Sequence, residues 1–220
     1  MIKTGLLCVP AYDEAAVDAV RRLLHRAMPA LAMLADRHVE SRRYLVEEVL
    51  RRWCDEEDLD LILTIGGTLP APGPSAHEIV PEATHAVLER ALPGLPEAMR
   101  AYASEETPLA LLDRSTAGIR GRTVIVNLPA GEKATALFLA AIVDVLPAVI
   151  AHLQEASAAP SLEATLTAQL MLGVAAEASA APDAAVATPA AEKRPGRTLD
   201  ATEFATFLQR SAGKADPGAG

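Results

Sequence analysis

The stretch Leu59 to Thr68, LDLILTIGGT, decides the fold. Leu59 to Thr64 is a nearly unbroken apolar run rather than an alternating one, the pattern of a strand covered on both faces. A glycine pair follows at once. Gly66 and Gly67 let the backbone approach a ligand closely and turn its N–H groups toward an anion, and Thr68 adds a hydroxyl. Working outward, Thr123 to Asn127 (TVIVN) is a second buried strand and Thr4 to Val9 a first one. Ala30 to Leu34 reads as a weaker strand. Between them, helical spacing recurs at Asp13 to Met28, Ser41 to Cys54, Pro81 to Leu92 and Lys133 to Val145. Strand and helix in alternation predict an α/β, three-layer fold, with a mostly parallel sheet and helices on both faces. Ligands of such sheets lie beyond the carboxyl ends of the strands. Two places are therefore singled out: after Thr64 and after Val126.

The first loop runs from Thr64 to Thr84. A helix opening at Pro81 would add its positive dipole end there. Glu78 and Glu82 are carboxylates of the kind that hold Mg2+, which favours few carboxylates together with phosphate oxygens. The plainer alternative is a glycine turn with a Pro-rich surface excursion. In the second loop, Val126 to Thr135, Pro129 and Gly131 shape a turn and Lys133 falls in the first helical turn. A cation opposes the dipole there, which suggests an anionic ligand or a pairing with Glu132. Other motifs fail. Walker A, GxSxG and GxGxxG spacings are missing, and His77-Glu78 is followed by Pro81 where a zinc protease motif needs histidine.

Of the 220 residues, 50% are hydrophobic but only 3% aromatic, so the core must be aliphatic. A net charge of −9 opposes nucleic acid as the main partner. Cys8 and Cys54 cannot build a disulfide scaffold and lack metal-ligand spacing. The most apolar late stretch, from Ala136, is interrupted by Asp144 and Pro147, and a membrane span needs ~20 apolar residues. The chain reads as cytoplasmic, with neither membrane nor nucleic acid as partner.

Near residue 155 the composition shifts. The expected organisation is a domain over 1–155, an Ala/Pro-rich linker over 156–197 and a tail over 198–220. Within the linker, Leu162, Leu166 and Leu170 allow a helical patch from Ser161 to Leu172. In the tail, Asp200 and Glu203 form a capping box, and Phe204, Phe207 and Leu208 share one helical face. That helix either packs back on the domain or presents residues 199–210 to a protein partner.

Taken in order, four segments are more specific than any one alone: DLILTIGGT, VPEAT, LPGLPEAMR (Leu92–Arg100) and AGIRGRTVIVNLPAGEKA (Ala117–Ala134). Together they resemble the molybdopterin-binding domain of molybdenum cofactor biosynthesis proteins, with the adenylyltransferase branch the closest likeness. The resemblance implies a homotrimer or hexamer that binds molybdopterin and joins its terminal phosphate to the α-phosphate of Mg-ATP. By the same likeness, Gly66, Gly67 and Thr68 cradle the ligand with Glu82 nearby. Asn127, Leu128 and Pro129 form the opposite wall, and Glu78 is the Mg2+ ligand and catalytic carboxylate. The chain departs from the family pattern at several of these places. Leu69 and Ala130 stand where glycines are usual, Glu78 for an aspartate and Asp113 for a serine. Ser41 replaces a second aspartate, with Glu40 the nearest carboxylate. VPAYDE replaces a Ser-Asp-Arg signature, Asp13 standing in for part of it. Three functions remain open on these residues: an adenylating enzyme, a degenerate pterin- or nucleotide-binding module, and a trimeric scaffold working through its tail.

Overall fold

A computed structural model describes residues 1–73, 79–155 and 161–179. The chain divides into a compact unit, Met1–Gly173, and a second unit, Val174–Gly220. The tail segment 199–210 and the greater part of the linker lie outside the described residues.

Six strands form one sheet: β1 (Ile2–Cys8), β2 (Leu31–His38), β3 (Leu61–Ile65), β4 (Arg90–Ala91), β5 (Ala117–Arg120) and β6 (Thr123–Leu128). Their order is β2-β1-β3-β6-β5-β4. The first four in that order run parallel; β5 pairs antiparallel with β6, and β4 antiparallel with β5, so β5 alone runs against the rest. The buried runs read from the sequence are the three central strands. Leu61, Leu63 and Ile65 face one core while Ile62 faces the other, which is why the sequence shows no polar alternation.

Helices α1 (Glu14–Ala27), α4 (Gly94–Ser104), α5 (Glu132–Ala140) and α6 (Leu146–Leu153) cover the first face. Helices α2 (Arg43–Asp55) and α3 (Val80–Val87) cover the second, where Trp53 is fully buried with Leu50 and Val46. α1 starts where its cap requires: the Asp13 carboxylate accepts from the Ala16 N–H at 3.1 Å. The last helix, α7 (Leu162–Ser179), contains the leucine patch of the linker.

Two helices end earlier than in the sequence reading. The helix expected over Pro81–Leu92 ends at Val87, because Leu88 turns extended and Arg90–Ala91 pairs with β5 as an edge strand. The helix expected over Lys133–Val145 stops at Ala140, and a separate helix opens at Leu146 with Pro147 in its first turn. The hairpin of β5 and β6 turns on Gly121, which has a left-handed φ of 56°. Among the described residues, no helix is long and apolar enough to cross a membrane.

Two outcomes follow from this packing. A Cβ at Gly5 would sit 2.7 Å from Leu59 Cδ1 and 2.9 Å from the Trp53 ring. Gly5→Ala should therefore cost about 1–3 kcal/mol by overpacking, read by urea unfolding through the fluorescence of the chain's single tryptophan. The two cysteines are free. Burial pushes the Cys54 thiol up to about 11, partly offset by a hydrogen bond with Thr123, and burial raises Cys8 as well. At pH 8 both should alkylate with iodoacetamide far more slowly in the folded protein than in urea, since only the thiolate reacts.

Candidate functional site

Three parallel strands end together at Gly66. The Val9 N–H donates to the Ile65 carbonyl at 2.9 Å, and the Gly66 N–H donates to the Leu128 carbonyl at 2.8 Å. Gly66 has φ 97°, and a Cβ there would lie 2.2 Å from the Val9 carbonyl oxygen, so only glycine fits. Gly67 follows with φ 67°. The turn expected after β3 is thus held between the ends of β1 and β6.

Thr68 is buried, and its hydroxyl is committed: it donates to Asp113 Oδ2 at 2.6 Å. The other carboxylate oxygen of Asp113 accepts from the Ser115 N–H at 2.9 Å. The Arg114 N–H donates to the Thr68 carbonyl at 3.0 Å. Behind this loop, Arg100 on α4 donates through Nη1 to the carbonyls of Asp113 and Ser115, at 3.4 and 3.2 Å. Residues 113–115 are therefore strapped to the glycine turn from one side and to α4 from the other.

Asn127 is fully buried and its amide is spent inside the protein. Nδ2 donates to the hydroxyls of Thr64 at 2.9 Å and Thr84 at 2.8 Å, while Oδ1 accepts from the Thr116 N–H at 3.3 Å. Leu128 packs in the core and meets the turn only through its carbonyl. Pro129 accepts from the Thr135 hydroxyl at 2.6 Å. The adjoining Gly131 N–H donates to Asp13 Oδ2 at 3.0 Å, so Asp13 joins the start of α1 to the Pro-Ala-Gly loop.

Pro129 also lines a cavity of about 460 Å³, with Leu69, Pro70, Leu112, Lys133 and Phe138 among its walls. Among the described residues Lys133 is the one charged side chain in its lining, placed in the first turn of α5, which has no side-chain cap. An apolar chamber with one ammonium at its rim suits a flat organic ring carrying an anionic group. Glu82 lies elsewhere, in an open cleft with Arg43 and His85. Its Oε1 pairs with Arg114, and its Oε2 is buried without a hydrogen-bond partner among the described residues. Glu78 lies outside the described residues. Among the described residues, no group of three His, Cys, Asp or Glu side chains is placed to hold a metal ion.

The geometry thus gathers Gly66, Gly67, Thr68 and Pro129 at one end of the sheet and reaches Glu82 through Arg114. Sequence reading named Asp113 only as a departure from a family serine and Arg100 only as the end of a family segment, and so missed the bracing that the two provide.

The sheet order and the glycine turn at the strand ends define an α/β architecture, and solved structures share it. The molybdopterin biosynthesis enzyme MoaB of Thermus thermophilus is 37% identical, with a TM-score of 0.63 over 70% of this chain and 96% of its own. The Mog protein of Mycobacterium ulcerans is 26% identical, with a TM-score of 0.61 over 70% of this chain and 99% of its own. Residues 18–149 match the family described as "Probable molybdopterin binding domain". The chain belongs to this molybdopterin-binding domain family of molybdenum cofactor biosynthesis proteins. Among curated relatives, the molybdopterin adenylyltransferase of Helicobacter pylori is 40% identical over 109 residues, which are 50% of this chain and 60% of that protein. That of Escherichia coli is 31% identical over 141 residues, 64% of this chain and 70% of that protein. The chain therefore spans about three fifths of the length of the Helicobacter relative.

Removing the Asn127 amide leaves the part-buried Thr116 N–H without its acceptor and takes the donor from two buried hydroxyls. Asn127→Ala should lower stability by about 2–3 kcal/mol, the cost of unsatisfied buried polar groups. Equilibrium urea unfolding measures it.

Proposed function

We propose that this chain acts in molybdenum cofactor biosynthesis by binding molybdopterin and adenylating its terminal phosphate with ATP. In that reaction a phosphate oxygen of the pterin attacks the α-phosphorus of ATP. The bond from that phosphorus to the bridging oxygen of the β-phosphate breaks, and pyrophosphate leaves with the electron pair. The observation that carries the reading is the Gly66–Gly67 turn at the carboxyl end of β3, beside a cavity walled by Pro129 and Lys133. The names of the matched relatives point the same way.

Each part of the site has a task in this reading. The positive-φ turn exposes backbone N–H groups to phosphate oxygens, and Lys133 adds a point charge at the first turn of α5. The apolar walls of Leu112 and Phe138 exclude water from a bound ring. Mg2+, when bound, would neutralise the phosphate oxygens as charge builds on them. Glu78, and Glu82 through its buried Oε2 that has no hydrogen-bond partner among the described residues, are the carboxylates suited to hold it, because this ion needs only one or two protein ligands beside phosphate. The resemblance to oligomeric proteins makes a homotrimer or hexamer part of the proposal.

One observation favours a second reading, a binding module without turnover. Leu69 places a side chain on the cavity wall at the position following the turn, where a backbone approach to phosphate would need open space.

The decisive assay mixes the purified full chain with molybdopterin, ATP and Mg2+ and follows adenylated pterin and pyrophosphate. Product that vanishes with chelator, and falls at least ~100-fold in Glu78→Gln, is the expected result. Pterin binding by fluorescence without product would establish the binding module instead. Neither product nor binding would overturn both readings.

A further inference from the structure

We propose that Asp113 is a positioning residue that sets the shape of the ligand cavity through Thr68; the inference rests on the function proposed above. Asp113 touches no part of the cavity itself. It is buried, and both carboxylate oxygens are used: Oδ2 accepts from the Thr68 hydroxyl at 2.6 Å and Oδ1 from the Ser115 N–H at 2.9 Å. The backbone bond from the Arg114 N–H to the Thr68 carbonyl lies next to these two. The residue after Thr68 is Leu69, which with Pro70 forms one wall of the cavity, while Leu109 and Leu112, just before Asp113, form another.

One carboxylate thus joins two cavity walls that are 45 residues apart in the chain. Arg100 fixes the whole assembly to α4 by holding the carbonyls of Asp113 and Ser115. A charged acceptor makes a shorter and stronger bond than a neutral one. It also fixes the direction of the Thr68 proton, so Thr68 acts as a tie and not as a donor to ligand. A strut of this kind matters here because Gly66 and Gly67 carry no side chains that could anchor the segment leading to Leu69.

The test uses the full chain carrying Asp113→Ala or Asp113→Asn. The amide of asparagine keeps the tie: its oxygen accepts from Ser115, and its nitrogen donates to the Thr68 hydroxyl, which can reverse. The Asp113→Ala change removes both bonds. The expected result is a KM for molybdopterin raised at least ~10-fold in Asp113→Ala with kcat changed little, and near-normal values in Asp113→Asn, since a displaced wall weakens binding throughout the reaction. A second readout needs no turnover. Hydrogen exchange at the Arg114 amide, which bonds to a carbonyl that Asp113 does not touch, should quicken at least ~10-fold in Asp113→Ala and not in Asp113→Asn.

An unchanged KM together with unchanged exchange in Asp113→Ala would overturn the proposal. Equal loss of kcat in both variants would also overturn it, because the charge itself and not the tie would then be needed. If Asp113→Ala fails to fold, Thr68→Val cuts the same bond from the other side and should reproduce both effects. A wild-type chain without turnover would sink the proposed reaction alone, and the exchange readout would still decide whether Asp113 holds the loop.

Discussion

The amide of Asn127 reaches three parts of the molecule that are distant in sequence: the end of β3 through Thr64, the middle of α3 through Thr84, and the segment entering β5 through Thr116. An uncharged side chain with two donors and an acceptor is well suited to a fully buried junction, where a carboxylate would need a counter-charge. The arrangement of the site depends on this junction. β3 and β6 must end level for the Gly66 N–H to meet the Leu128 carbonyl. Asn127 thereby serves as framework, whereas Leu69, Pro129 and Lys133 are among the walls of the neighbouring cavity.

Much of this was legible in the sequence because the information was local. Leu61–Ile65 and Thr123–Leu128 are continuous apolar runs, and the structure covers them on both faces. Asp13 precedes an amphipathic stretch and caps it. The glycine pair after a buried strand marked the turn, and the order of four short segments marked the family later matched over residues 18–149.

What escaped reading was non-local or ambiguous. α4 opens on Gly94 with Pro96 in its first turn, so its composition looks like a loop, and its helical state is fixed by Met99 and Ala103 packing in the core. β5 is only Ala117–Arg120 and contains a glycine, a weak strand whose pairing with β6 is set by the hairpin turn. The ties of Asp113 to Thr68 and of Arg100 to the 113–115 loop cross long intervals of chain, and no spacing rule reports them. The inward use of Asn127 was hidden for the same reason: nothing in Val-Asn-Leu-Pro says that the amide turns toward two threonines.

The two margins of the sheet are unequal. On one side β4 is two residues long and carries the Arg90 side chain, which leaves little backbone for another strand to join. On the other side β2 is eight residues long, and its last three residues, Asp36, Arg37 and His38, discourage lateral pairing by charge. Only its first half, Leu31–Leu34, is both apolar and marginal, with the Leu34 side chain exposed. Unwanted self-association through strand addition would therefore begin at that short stretch, and a single lysine at position 34 would close the one unguarded border of the sheet.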